Sequence, residues 1–161
     1  MAQPQYAKVD PADYKRLRGY EWLAKKGGKS FYARRRVASG EKRKNRLTYM
    51  HQDVIEVPEG MVIDHINHDG MDNRSANVRA ATYSQNMYHR TKRSGATHSK
   101  YKGIHLDKTR RKWQASITFE KKRMHLGYFQ NEIDAARAYD RAARQYHGEF
   151  ASLNFPESGN G

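Results

Sequence analysis

Short apolar and aromatic runs alternate with polar turns over the first hundred residues, and a helical period appears only near the end. Residues 10–19 read as a short polar helix or turn. The stretches 20–24, 30–37 and 46–50 are rich in aromatic and β-branched residues. Breaks at Gly27-Gly28 and Ser39-Gly40 predict antiparallel strands joined by hairpins. Residues 51–57 read as a short helix, and Pro58-Glu59-Gly60 as a turn. Met61-Val62-Ile63 reads as a brief strand that delivers Asp64-His65 at its end. The polar stretch 67–73 is expected to be a loop. Ser75 is a candidate helix cap, with the helix proper starting nearer Ser84 and running over 83–90. Residues 91–100 are small, polar and basic, the composition of a linker.

Beyond the linker, strands are expected at 101–105, 113–119 and 123–129, with charged turns between them. Ile133, Ala136, Tyr139, Ala143 and Tyr146 fall at three- and four-residue spacing, which predicts an amphipathic helix over 131–146. Asn131 is its N-cap, with Asp134 three residues on, and Gly148 its stop. The residues from Glu157 are expected to be a disordered tail.

Charge changes this picture more than length does. Lys and Arg number 31 against 17 Asp and Glu, a formal net charge of +14, which favours a polyanionic partner. Residues 1–50 hold 14 basic and 4 acidic side chains, residues 51–97 hold 5 and 6, and residues 98–161 hold 12 and 7. A near-neutral centre between basic flanks suits a metal-dependent phosphodiesterase: carboxylates for a cation in the middle, cations for phosphates around it. The absence of cysteine excludes disulfides and thiolate-bound zinc. No apolar run is long enough to span a bilayer, so no membrane role is expected. The start MAQPQYAKVD lacks an apolar signal core, which predicts a cytoplasmic protein. No protein partner is evident.

Phosphodiester hydrolysis requires a base for the attacking water and a cation for the charge on the phosphoryl oxygens and the departing 3′ oxygen. Asp64-His65 offers a carboxylate and an imidazole side by side. Adjacent residues of a strand point to opposite faces, so both can approach one phosphate only where the strand ends. Asn86 offers a neutral oxygen from the following helix. An isolated Asp-His pair is most often an ordinary surface dipeptide.

The stretch VIDHINHDGMDNRSANVRAATYSQN resembles the HNH, or His-Me finger, homing endonucleases. The intervals of 12 residues from His65 to Asn77 and 9 from Asn77 to Asn86 fit the variant that ends in Asn. The resemblance implies a ββα-metal finger over about residues 60–90 within a nuclease domain at 1–92. It makes His65 the general base, Asp64 and Asn86 the ligands of one divalent metal, Mg²⁺ or Mn²⁺, and Asn77 a structural brace. Arg74 and Arg79 are candidate phosphate contacts, although Arg79 is also placed to brace the motif through a salt bridge. His51, His68 and His89 are weaker candidates, read first as packing or solvated residues.

After a linker at 93–99, residues 100–156 resemble the Apetala-two, or ethylene-response-factor, DNA-binding domain. The resemblance rests on YKGI, WQASI, LGYF, AARAYDRAA and LNFP. It implies a three-stranded antiparallel sheet packed on one helix, with the exposed sheet face in the major groove of double-stranded DNA. Alternation puts Trp113, Ala115 and Ile117 on the helix-facing side. It puts Lys102, Lys112, Gln114, Ser116, Thr118, Arg123 and His125 on the DNA-facing side, with His105 beside them. Plant domains carry mostly arginine and tryptophan at these positions, and the first hairpin here has an extra residue, so their target sequence does not transfer.

The expected whole is an α+β chain of two domains: a site-directed DNA endonuclease of the phage- or mobile-element type, with a tail at 157–161. A DNA-binding regulator with an inactive nuclease domain is the alternative class, and an RNA-binding protein a weaker one.

Overall fold

A computed structural model of the chain describes residues 5–38, 46–92 and 98–156. The expected Ser39-Gly40 turn, residues 93–97 of the expected linker and the tail from Glu157 lie outside the described residues. The chain divides into two compact units, 1–83 and 84–161.

The first unit opens with a helix, α1 (Pro11–Leu17), which begins at Pro11 where a missing N–H costs nothing. Strands β1 (Leu23–Gly27), β2 (Ser30–Val37) and β3 (Arg46–Tyr49) form an antiparallel sheet in the order β1-β2-β3. A short helix, α2 (Met50–Val54), follows β3 directly. Leu17, Ala33, Met50 and Met71 form a small core beneath one face of this sheet, with Trp22, Phe31 and Val54 packed against it.

Strands β4 (Val62–His65) and β5 (Val78–Ala81) pair antiparallel, with Asp64 opposite Arg79 and His65 opposite Val78. The chain pattern did not predict β5. It is only four residues long, and its burial comes from pairing with β4 rather than from any alternation of its own. Ser75 caps no helix; its backbone N–H donates to the Asp10 carboxylate. The next helix, α3, covers Tyr83–His89.

From Ser84 onward α3 belongs to the second unit, so the division by packing falls ahead of the linker read from composition. Tyr88 is the reason. Its ring stacks on His147 at 4.0 Å and 3°, and its hydroxyl accepts from the Glu120 N–H in the turn at 120–121. The second unit also holds β6 (Ile104–Asp107), β7 (Lys112–Phe119) and β8 (Lys122–Phe129), antiparallel in that order, with α4 (Glu132–His147) across one face.

Ile104, Ala115, Ile117, Ala136, Tyr139 and Ala143 fill the layer between sheet and helix, with Trp113 and Phe129 packed against it. Burying Ile117 alone contributes on the order of 2 kcal/mol. The Asn131 side chain accepts from the Asp134 N–H as the N-cap. Ile133 departs from the expected stripe: it is exposed, because the buried face is centred on the alanines at 135, 138 and 142 as well. Small side chains let α4 approach the sheet closely. At Gly103, with φ +77°, any side chain would overlap the Tyr139 ring. The buried Asp140 carboxylate accepts the N–H groups of Asn154 and Phe155 and so ties down the end of the domain.

Candidate active site and nucleic-acid interface

Strand β4 ends on Asp64 and His65, and both are buried at its terminus. Asp64 faces Arg79 across the ladder, and Arg79 Nε donates to Asp64 Oδ2 at 3.0 Å. Arg79, a candidate phosphate contact, is therefore mostly buried and engaged in holding the carboxylate. The register explains this, since directly opposed residues of opposite charge meet side by side.

His65 sits among aromatic rings. His51 lies edge-on at 5.2 Å and Tyr32 at 5.8 Å, and Tyr49 stacks on His51 at 5.3 Å. Burial lowers the His65 pKa. The Asn73 hydrogen bond and the Asp64, Asp69 and Asp72 carboxylates oppose that shift without cancelling it, so the ring is neutral near pH 7. Burial, reinforced by the neighbouring His65, drives His51 further, to about 4.

Asn73 is a residue that the sequence reading missed. It is fully buried, and its Oδ1 lies 3.3 Å from His65 Nε2. The Asn73 amide orientation is set by its nitrogen, which donates to the Met71 carbonyl. The oxygen therefore faces the imidazole, Nε2 must carry the ring proton, and Nδ1 is left as the acceptor. One signal was available: a methionine between acidic residues in DGMDN is odd for a solvated loop, and Met71 is indeed core.

The loop 66–77 that carries Asn73 is closed by its own side chains. Asn77 Oδ1 accepts from the Asn67 N–H at 3.0 Å, and Asn77 Nδ2 donates to the Asp72 carbonyl at 2.7 Å, so one amide spans both limbs. Asp69 accepts the Met71 N–H, and Asn67 accepts that of Asp69. Arg74 donates through Nε and Nη2 to the buried Asp72 carboxylate, while about half of its side chain stays exposed. That pairing holds Asp72 at about 2. Gly70 packs so tightly under Tyr32 that a Cβ there would overlap its ring and the Phe31 carbonyl. His68 adopts a positive φ of 62° in this loop.

Among the described residues, no three His, Asp or Glu side chains converge as a metal cluster. A Mg²⁺ site needs no such cluster, since this ion typically takes one or two protein carboxylates plus water and phosphate. A buried carboxylate with one oxygen fixed by arginine fits that donor set. Asn86 lies on α3, in the second unit, and His89 is buried there too.

In the second unit the open sheet face carries His105, Lys112, Gln114, Ser116, Thr118, Arg123 and His125. His105, Gln114, Ser116, Arg123 and His125 line a shallow concavity. Gln114 Nε2 lies 3.0 Å from His125 Nδ1, and Arg123 donates to Ser116 Oγ. A bulge in β8 shifts the register between Ala115 and Ser116, so the ladder skips Leu126 and turns Tyr128 onto this polar face opposite Gln114. Arg110 lies over the Tyr128 ring at 4.9 Å.

Lys102 is not part of that face. It precedes β6, and its ammonium donates to the Tyr88 and Arg90 carbonyls at the end of α3. There it meets the negative end of a helix rather than solvent, and burial lowers its pKa to about 8.

Residues 56–88 match the family profile described as HNH endonuclease. A protein of Acanthamoeba polyphaga mimivirus described as an uncharacterized HNH endonuclease is 28% identical over 99 residues, 62% of this chain and 50% of the viral protein. An APETALA2-like protein of rice, Oryza sativa, is 46% identical over 59 residues, 35% of this chain and 13% of the rice protein. An ethylene-responsive transcription factor-like protein of Arabidopsis thaliana is 62% identical over 32 residues, 20% of this chain and 14% of that protein. The chain thus spans half of the viral relative and about an eighth of the plant ones. It joins an HNH endonuclease motif to a region related to AP2/ERF-type DNA-binding domains.

Proposed function

We propose that this chain, related to HNH endonucleases through residues 56–88, is a metal-dependent, site-directed endonuclease of the homing type that hydrolyses duplex DNA. The C-terminal sheet domain docks on the DNA. The observation that carries the reading is the pairing of His65 with Asn73 at the end of β4, beside the arginine-held carboxylate of Asp64. Together they present an oriented base and a fixed anionic ligand at one strand terminus.

In this reading β4, β5 and α3 are the ββα-metal finger, within a nuclease domain at 1–92 ahead of a docking domain at 100–156. His65 Nδ1 takes the proton of the attacking water, and Asn73 holds the Nε2–H and with it the tautomer. Arg79 keeps Asp64 ionised and aimed. Asn77 braces the loop between them. Asp64 and Asn86 would hold one Mg²⁺ or Mn²⁺, which when bound supplies positive charge for the phosphoryl oxygens and the departing 3′ oxygen. On the C-terminal sheet, His105, Lys112, Ser116, Thr118, Arg123 and His125 face the DNA, and Arg74 adds a phosphate contact from the finger loop. The setting in this reading is the cytoplasm of a host cell. Among the described residues no helix is long and apolar enough to cross a membrane.

The test is nicking of supercoiled plasmid by the wild type and His65→Ala, each with Mg²⁺ and with EDTA. Cleavage by the wild type with Mg²⁺ alone is expected. Cleavage that persists in EDTA, or in His65→Ala at the wild-type rate, rejects the mechanism.

A further inference from the structure

The N-terminal sheet has a second face, turned away from its small core, and the ladders fix what it carries. Tyr32 lies opposite Lys25 on β1, Arg34 lies opposite Leu23 on β1 and Tyr49 on β3, and Arg36 lies opposite Leu47. Since side chains alternate, Lys25, Tyr32, Arg34, Arg36 and Tyr49 share one face, and Ala33 and Phe31 point into the core on the other. No strand residue on the first face is acidic.

This face leads directly to His65. Tyr32 packs edge-on against the His65 ring, and Tyr49, the cross-strand neighbour of Arg34, stacks on His51, which in turn meets His65. Arg34 is thus one aromatic pair away from the candidate base.

Arg34 is also placed at a cost. Its side chain is partly buried, and its Nε is shut off from solvent with no hydrogen-bond partner among the described residues. Its neighbour Arg35 points the other way and is satisfied by Asp53 at 2.9 Å and by the Tyr20 ring at 3.9 Å. A buried guanidinium donor without an acceptor is unfavourable, and a planar fork of N–H groups matches a phosphate. Among the described residues Arg35 has a carboxylate partner, and Arg34 Nε has no acceptor.

We infer that this face is a phosphate-binding surface for the nucleic-acid backbone, on which Arg34 holds a phosphate beside His65, with Lys25 and Arg36 on the adjoining backbone. The inference rests on the nuclease reading for its substrate, and it adds a second docking surface within the first unit. Sequence-independent grip on the cleaved segment then comes from the N-terminal sheet.

The experiment measures full-length protein binding to a fluorescent duplex in EDTA across a salt series, beside plasmid nicking at saturating DNA. Each phosphate contact contributes about 0.9 to the slope of log affinity against log salt. Arg34→Gln is expected to lower that slope by about one and the nicking rate by roughly tenfold or more. Arg34→Lys should restore most of the slope and less of the rate, because lysine keeps the charge without the fork. Lys15→Gln, an equal charge change on exposed α1, should leave both readouts near wild type. If Arg34→Gln does not fold, Lys25→Gln/Arg36→Gln decides the matter with an expected fall of about two. An unchanged slope in these variants, or an equal fall in Lys15→Gln, overturns the inference. If the wild type never nicks but the slopes fall as expected, the nuclease reading fails and the phosphate surface stands.

Discussion

At the scale of single residues, the strand end that bears Asp64 and His65 was legible, and the residues that support it were not. Asp64 next to His65 at a strand end announces itself. Asn73 does not, because an asparagine in a polar loop reads as solvated; only the fold shows it fully buried, with its amide set by Met71 and its oxygen on His65. Asn73→Ala is therefore expected to slow plasmid nicking at saturating DNA by about 10- to 100-fold, the usual cost of losing a group that orients a catalytic side chain. Duplex affinity in EDTA should change little; a full-rate Asn73→Ala would remove the tautomer argument.

His51 makes a different expectation. Its pKa is about 4 when folded against 6.5 for an unperturbed histidine. Between those values the unfolded chain holds the proton and the folded one does not, so stability falls as pH drops through that window. The loss is at most about 3 kcal/mol. Thermal melts from pH 7 to pH 4 should show it, and His51→Phe should flatten it. The stabilisation that Asp72 draws from Arg74 adds a second, lower step: it is present above about 4 and lost as pH falls toward 2.

At the scale of elements, strong periods were readable and pairing was not. The helix α4 declared itself through its apolar stripe, and the faces of β7 through alternation. Strand β5 left no mark in the chain pattern, because four residues cannot display a period and pairing with β4 supplies the burial. The skipped Leu126 in β8 was equally hidden, since Leu-Gly-Tyr-Phe reads as one apolar run; the bulge decides that Tyr128 faces outward and Phe129 inward.

Close approach between elements sets the next expectation. Gly70→Ala should drive the loop 66–77 away from Tyr32. A loss of about 1–3 kcal/mol in urea unfolding is expected, with a larger fractional loss of nicking than of DNA binding. Tyr88→Phe should cost about 0.5–1.5 kcal/mol through the hydroxyl on the Glu120 N–H, and Tyr88→Ala more, through the stack on His147. Equal melting temperatures for all three proteins would mean that α3 is not held this way.

At the scale of the molecule, the distribution of charge was visible from composition, because it is a sum over many residues. Where the two compact units divide was not. A run of small polar residues after Arg90 has the composition of a tether, while α3 from Ser84 onward packs with the second unit through Tyr88 on His147. Lys102 shows the same principle: alternation assigned it to the DNA-facing sheet, and the carbonyls at the end of α3 claimed it instead.

The placement of Tyr88 bears on how this protein can be taken apart. A fragment ending at residue 92, the natural cut by composition, would keep the seven residues of α3 but lose His147, Glu120 and Lys102, which hold them. A helix that short has no stability of its own in water. Loss of activity in such a fragment would say nothing about whether the sheet domain recognises DNA, because the cut also releases the segment that bears Asn86. Point substitutions on the open sheet face, made in the intact chain, separate recognition from assembly where truncation confounds them.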